Sequence, residues 1–183
     1  MSSQLSQTEL DHQQWSPWVA KCQEWKKKYP VVLPEYKEQT GSINSYYFVD
    51  VLSEILTPDD VVVTDMGFAF QNIHQAFRVK EGQRVFTNGG FASMGWGLPA
   101  AVGACLGSGK KRTVCVAGEG GFLMTMQEMA TAREYGINVV VVLLNNYGWY
   151  SIRDLQMAEF GEDRAIGIDW DAEKSPNFVT IAK

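Results

Sequence analysis

One carboxylate and two carboxamides stand where an α/β chain places its reactive groups. Glu119 lies in Gly118-Glu119-Gly120-Gly121, directly after the apolar stretch Thr113 to Ala117. Asn145 and Asn146 close a second apolar stretch, Val139 to Leu144, and Tyr147-Gly148 follow. If the two stretches are neighbouring parallel strands, their carboxyl-end loops lie side by side. A carboxylate, a carboxamide oxygen and a loop carbonyl can then converge on one hard cation. Mg²⁺ suits such a set, because it takes about six oxygens near 2.1 Å and draws only a few from protein, leaving room for phosphate and water. The glycines after Glu119 let the backbone approach a phosphate, and a helix opening there points free N–H groups at the anion. Glycine turns and strand-ending asparagines are also ordinary loop components, so the pair alone leaves a purely structural role open.

The elements that must position these groups are readable in outline. Thr113 to Ala117 is rich in β-branched residues and stops at glycines, which marks a buried strand and a tight turn. Phe122, Met126, Met129 and Ala130 recur at helical spacing, with Gln127, Glu128, Thr131 and Glu134 on the other face, and Gly136 ends that helix. Six apolar residues, Val139 to Leu144, form a strand expected to be buried on both faces. Together they make one right-handed βαβ unit. Upstream, a helix over 42–56 is capped by Ser42 or Asn44, with Tyr47, Val51 and Ile55 expected inward. Pro58-Asp59-Asp60 is a turn, and Val61 to Thr64 a buried strand that turns at Asp65-Met66-Gly67. A helix of about Ala69 to Phe77 follows, then a short strand, Arg84 to Thr87. Gly95 to Leu106 reads as a helix of small residues that tolerates Pro99 in its first turn.

Three segments in this order resemble the thiamine-diphosphate-dependent enzymes. Gly118-Glu119-Gly120 followed by Asn145-Asn146 is similar to their Gly-Asp-Gly…Asn-Asn signature. Asn88-Gly-Gly-Phe-Ala-Ser-Met94-Gly-Trp-Gly-Leu-Pro resembles their cofactor-facing loop, and Val61-Val-Val-Thr-Asp65-Met-Gly67 their first strand and diphosphate turn. The nearest likeness is to the C-terminal, diphosphate-binding domain of acetolactate-synthase-like enzymes, over about residues 22 to 183. The resemblance implies a three-layer, doubly wound parallel sheet, with thiamine diphosphate and Mg²⁺ as cofactors and 2-keto acids as substrates of decarboxylation or carboligation. It implies that Glu119 and Asn146 give side-chain oxygens to the metal and Gly148 its carbonyl. Gly67, Gly120 and Gly121 would give backbone N–H groups to the diphosphate, and the Ala92 carbonyl would accept from the aminopyrimidine. Met94 matches the residue that props the cofactor in a bent shape, although a loop methionine is also ordinary core filler. Trp149, Tyr150 and Arg153 either line the substrate pocket or serve as packing and surface residues.

The chain also departs from that pattern. Glu119 replaces the usual Asp, which moves the carboxylate by about 1.5 Å, a bond length. Phe68 and Ala69 stand where acetolactate synthases carry Gln and His. In the resembled enzymes a glutamate from a different domain, usually on a partner subunit, activates the cofactor, and this sequence offers no such domain. A homo-oligomer or a separate pyrimidine-binding subunit is therefore expected, with the isolated chain inactive. The departures motivate two alternatives: a catalytically silent interaction subunit, or one half of a split 2-keto acid decarboxylase.

Composition limits the other classes. At 183 residues and a net charge of −5, the chain suits one domain and shows no basic patch for nucleic acid. Lys26-Lys27-Lys28 reads as a solvated helix face. The three cysteines are far apart, without metal spacing, and read as reduced thiols of a cytoplasmic protein. No run suffices to span a membrane, and the acidic start argues against a targeting peptide. Residues 1–40 are expected to be a tail and linker helix, with Met1 to Thr8 disordered and Trp15, Trp18, Val19, Cys22 and Trp25 on one stripe. Residues 41–183 are expected to be the binding domain, with 161–170 a loop. A final helix starts at Ser175-Pro176-Asn177-Phe178 with Phe178, Ile181 and Ala182 inward. The absence of a stop signal at Lys183 suggests an incomplete domain with an exposed sheet edge.

Overall fold

The computed structural model describes residues 12–166 and 172–183. Four parallel strands run β1 (Val61–Thr64), β2 (Arg84–Phe86), β3 (Thr113–Gly118) and β4 (Val139–Leu144), in the spatial order β2-β1-β3-β4. Val61 pairs with Thr113 and Thr113 with Val139, so β1, β3 and β4 begin at the same level, and β3 and β4 also end together, Gly118 opposite Leu144. The chain order reverses between β1 and β3, and there the strand-end loops splay apart, leaving a crevice.

Helices cover both faces, as a doubly wound sheet requires. The exposed helix α1 (His12–Lys28) leads through a short 3₁₀ turn to α2 (Ser45–Ile55), which packs with α3 (Phe68–Ala76) on one face of the sheet. Val49, Leu56, Ala69, Ile73 and Ala76 meet Val62, Val114 and Val116 there. The other face carries α4 (Gly97–Gly107), whose Ala101 packs with Val61, Val63, Cys115 and Ala117. Small residues let α4 lie close to β1: a Cβ on Gly97 would sit 2.7 Å from Asp65 Cβ.

The structure corrects several sequence expectations. Asn44, not Ser42, caps α2, and its Oδ1 accepts from the N–H groups of Tyr46 and Tyr47. The buried stripe of α2 is Val49 and Ser53, while Ile55 is 67% exposed, because the cap sets the phase of the helix. The helix expected from Phe122 to Glu134 is two, α5 (Glu119–Thr125) and α6 (Glu128–Glu134). Between them Met129 N–H donates to Met126 O and Ala130 N–H to Gln127 O, a tighter i→i+3 turn. Thr125 Oγ1 also donates to Gly95 O and ties the end of α5 to the loop before α4. Strand β4 has its expected bounds but is not buried on both faces: it lies at the sheet edge and Val140 is 44% exposed.

Residues after Asn146, read from sequence as either pocket lining or packing and surface residues, form α7 (Tyr150–Phe160), and a 3₁₀ turn at Glu162–Arg164 follows. In α8 (Phe178–Ile181), capped by Asn177, Phe178 packs edge-on against Phe122, but Ile181 and Ala182 are exposed. The tryptophan stripe of α1 is exposed too, with Trp18 and Trp25 meeting each other edge to face. Met1–Thr8, and the expected loop beyond Ile166, lie outside the described residues. Among the described residues no helix is long and apolar enough to cross a membrane.

Candidate functional site

The loops after β1, β3 and β4 enclose a small recess lined by Asp65, Gly67, Met94, Glu119, Asn146 and Trp149, among others. Strand β3 delivers Glu119 as the first residue of α5, with a side chain only 1% exposed. Its Oε1 accepts from Gly148 N–H at 2.7 Å and from Asn146 N–H at 3.3 Å. One carboxylate oxygen thus ties the β3 loop to the β4 loop.

The Asn146 carboxamide faces the same point. With its oxygen inward it meets only acceptors; turned over, its nitrogen donates to Glu119 Oε1 at 2.8 Å and to Gly148 O at 2.5 Å. Three oxygens therefore gather at one place: a carboxylate, a carboxamide and a main-chain carbonyl. The carboxamide atom lies 2.8 Å from Glu119 Oε1 and 2.5 Å from Gly148 O, near the roughly 3 Å expected between neighbouring ligands of an octahedral ion with bonds of about 2.1 Å. Oxygens crowd this way around a hard cation or around a shared proton donor, and the amide flip offers the second arrangement without metal. Among the described residues no cluster of three His, Cys, Asp or Glu competes as a metal site.

Opposite Glu119, Asp65 sits at the end of β1, buried. Both of its oxygens accept from Gly95 N–H at 3.1 Å, and Oδ1 also accepts from Met66 N–H at 2.8 Å. Burial pushes this carboxyl above the ordinary Asp value despite those bonds. The Cys115 thiol beneath is pushed up to about 12, by burial first and by the nearby Asp65 charge second. Asp65 fixes the N–H of the residue after Met94, and Thr125 holds the carbonyl of the same Gly95, so Met94 enters the recess from a loop pinned at Gly95. From sequence Asp65 was only a turn residue; an acid closing a fully apolar strand was the available sign of this role.

Gly67 lines the recess with φ 72°, a backbone state that favours glycine. Gly120 and Gly121 also face it, and each is packed: a Cβ on Gly121 would lie 2.1 Å from Asp65 Oδ2, and one on Gly120 1.5 Å from Trp149 Nε1. Tyr150 lines the recess and its ring leans on Phe68 at 6.4 Å, whereas Arg153 and Ala92 are not among the lining residues. Ala92 is exposed on the preceding turn with φ 56°, its N–H donating to Asn88 O.

Residues 65–183 match the family description "Thiamine pyrophosphate enzyme, C-terminal TPP binding domain". The chain is 33% identical over 180 residues to the acetolactate synthase large subunit of Lactococcus lactis, covering 98% of this chain and 30% of that protein. It is 32% identical over 169 residues to the large subunit of Parasynechococcus marenigrum (91% of this chain, 26% of that one). To the mitochondrial catalytic subunit of Aspergillus candidus it is 31% identical over 170 residues (91% and 24%). The chain therefore spans less than a third of the length of these relatives.

Proposed function

Since the chain belongs to the thiamine pyrophosphate enzymes, through their C-terminal TPP-binding domain, we propose that its recess binds Mg²⁺ and the diphosphate of thiamine diphosphate in an acetolactate-synthase-like enzyme acting on 2-keto acids. The observation that carries this reading is the gathering of the Glu119, Asn146 and Gly148 oxygens between two strand ends. Glu119 supplies the charge, Asn146 and Gly148 neutral oxygens, and the diphosphate with water would complete the shell. Gly67, Gly120 and Gly121 would offer backbone N–H groups to the phosphates, and Met94 an apolar support from its pinned loop. Bound there, the cofactor supplies the nucleophile and the electron sink for decarboxylation and carboligation. The role of this chain is to hold and orient it. Residues 41–183 would form that binding domain, with the segment before them as a linker. The pyrimidine end would meet a pyrimidine-binding domain from another chain or from a longer form of this one, as a homo-oligomer or a separate subunit.

A second reading has its own support. Glu119 is already satisfied by two backbone N–H groups, so it can staple the loops without metal. Phe68 and Ala69 add apolar bulk beside the recess. On that reading the chain is a catalytically silent interaction subunit. Glu119→Gln separates the two, because it keeps an acceptor for the N–H groups and removes the charge. Calorimetry with thiamine diphosphate and Mg²⁺ is expected to show metal-dependent binding that weakens at least tenfold in the variant, about 1.4 kcal/mol. Heat that is independent of Mg²⁺, or absent altogether, favours the silent subunit.

A further inference from the structure

The side chain of Trp149 lines the recess proposed for the anion and packs on Gly120. Gly148 just before it is anchored through its N–H to Glu119. The indole folds from there onto Gly120, so that a Cβ on Gly120 would be 1.5 Å from Nε1, 1.8 Å from Cδ1 and 2.7 Å from Cε2. The first turn of α7 closes behind it: Ser151 Oγ would be 3.2 Å from a Cβ on Gly67, and Tyr150 leans on Phe68. Only about 60 Å³ of open space remains between the loops. A cavity needs about 10–15 Å³ to hold one water, so the space left beside the indole takes a few waters. The indole lies against the Cα of the same glycine whose N–H is proposed to meet a phosphate.

We propose that Trp149 is a plug: its indole lies across the diphosphate recess and must swing out before the anion binds. This rests on the reading of the recess as the diphosphate site, and it adds a conformational step that the family match does not contain. The displaced ring has somewhere apolar to go. A hollow of about 630 Å³ adjoins the recess, shares Phe68, Leu144, Asn146 and Tyr150 with it, and continues to Ile43 and Phe48. Moving the side chain leaves the bond from Gly148 to Glu119 in place, so the metal ligands stay assembled while the anion site opens.

The test uses the full chain and magnesium pyrophosphate as the probe. If the plugged form holds about nine-tenths of the population, the apparent dissociation constant is raised about tenfold over the open form. Trp149→Ala is therefore expected to bind magnesium pyrophosphate about tenfold more tightly than wild type. In wild type labelled with fluorotryptophan, the ¹⁹F resonance that disappears in Trp149→Phe is expected to shift on saturation, a readout that does not depend on how the alanine variant folds. Equal or weaker binding by Trp149→Ala, or a resonance unmoved at saturation, overturns the plug and leaves the diphosphate site standing. If wild type and Trp149→Ala both fail to bind, the reading of the recess falls and the plug with it. Loss of binding on adding Glu119→Gln to Trp149→Ala shows that the reading holds.

Discussion

The two sides of the recess differ in how firmly they are built. On the β1/β3 side every strand residue from Val61 to Thr64 and from Thr113 to Ala117 is buried, and Asp65 locks the loop before α4 through backbone N–H bonds. On the β4 side the strand is half-exposed, the following helix has no buried residue, and one carboxylate oxygen ties the loop through Gly148 and Asn146, beside ring contacts of Trp149 and Tyr150. One side is a fixed floor and the other an arm hung from it. A cation between Glu119, Asn146 and Gly148 would join the two, and a ring on the arm can move without disturbing the floor.

The comparison is broken most severely at its firmest point. Asp65→Ala leaves buried N–H groups without an acceptor and opens a void, at an expected cost of about 3 kcal/mol measured by urea unfolding; a cost below 1 kcal/mol would mean the floor does not depend on it. The same change on the two sides sharpens the contrast. Val62→Ala should cost about 2 kcal/mol and Val140→Ala less than about 0.5 kcal/mol; equal costs would erase the distinction. The smallest effect is expected at the opposite end of the sheet, away from the recess. Asp60 accepts from Arg112 at 2.6 and 2.7 Å, and that pairing, more than anything else, lowers its pKa to about 2. A folded-state pKa below the ordinary 3.8 gives stability that is present above pH 3.8 and lost as the pH falls toward 2. Asp60→Asn should flatten that part of the pH–stability curve and leave magnesium pyrophosphate binding unchanged.

The floor was the legible part. Runs such as Val61 to Thr64 and Thr113 to Ala117 announce buried strands because a parallel sheet covered on both faces selects apolar side chains continuously. Val139 to Leu144 has the same composition, yet it is an edge strand; what lies on either side of a strand is a tertiary fact that its own residues do not encode. The break at Met126–Gln127 was hidden for a similar reason. Both residues are tolerated in a helix, and the interruption coincides with Thr125 bonding to Gly95, 30 residues away. In the recess, strand ends in register bring the Glu119 loop beside Asn145 and Asn146, which spacing could anticipate; the choice of Asn146 and of the Gly148 carbonyl came from the resemblance. The indole on Gly120 was not found, because a glycine in a motif gives no sign of which ring lies over it.

The most direct test of the account is a crystal grown with Mn²⁺ in place of Mg²⁺ and with thiamine diphosphate, examined by anomalous scattering. The expected result is one peak at ligand distance, a little over 2 Å, from the Glu119 carboxylate, the Asn146 carboxamide and the Gly148 carbonyl. A cofactor bound without metal there, or Glu119 still engaged only with the Gly148 and Asn146 N–H groups, would contradict it.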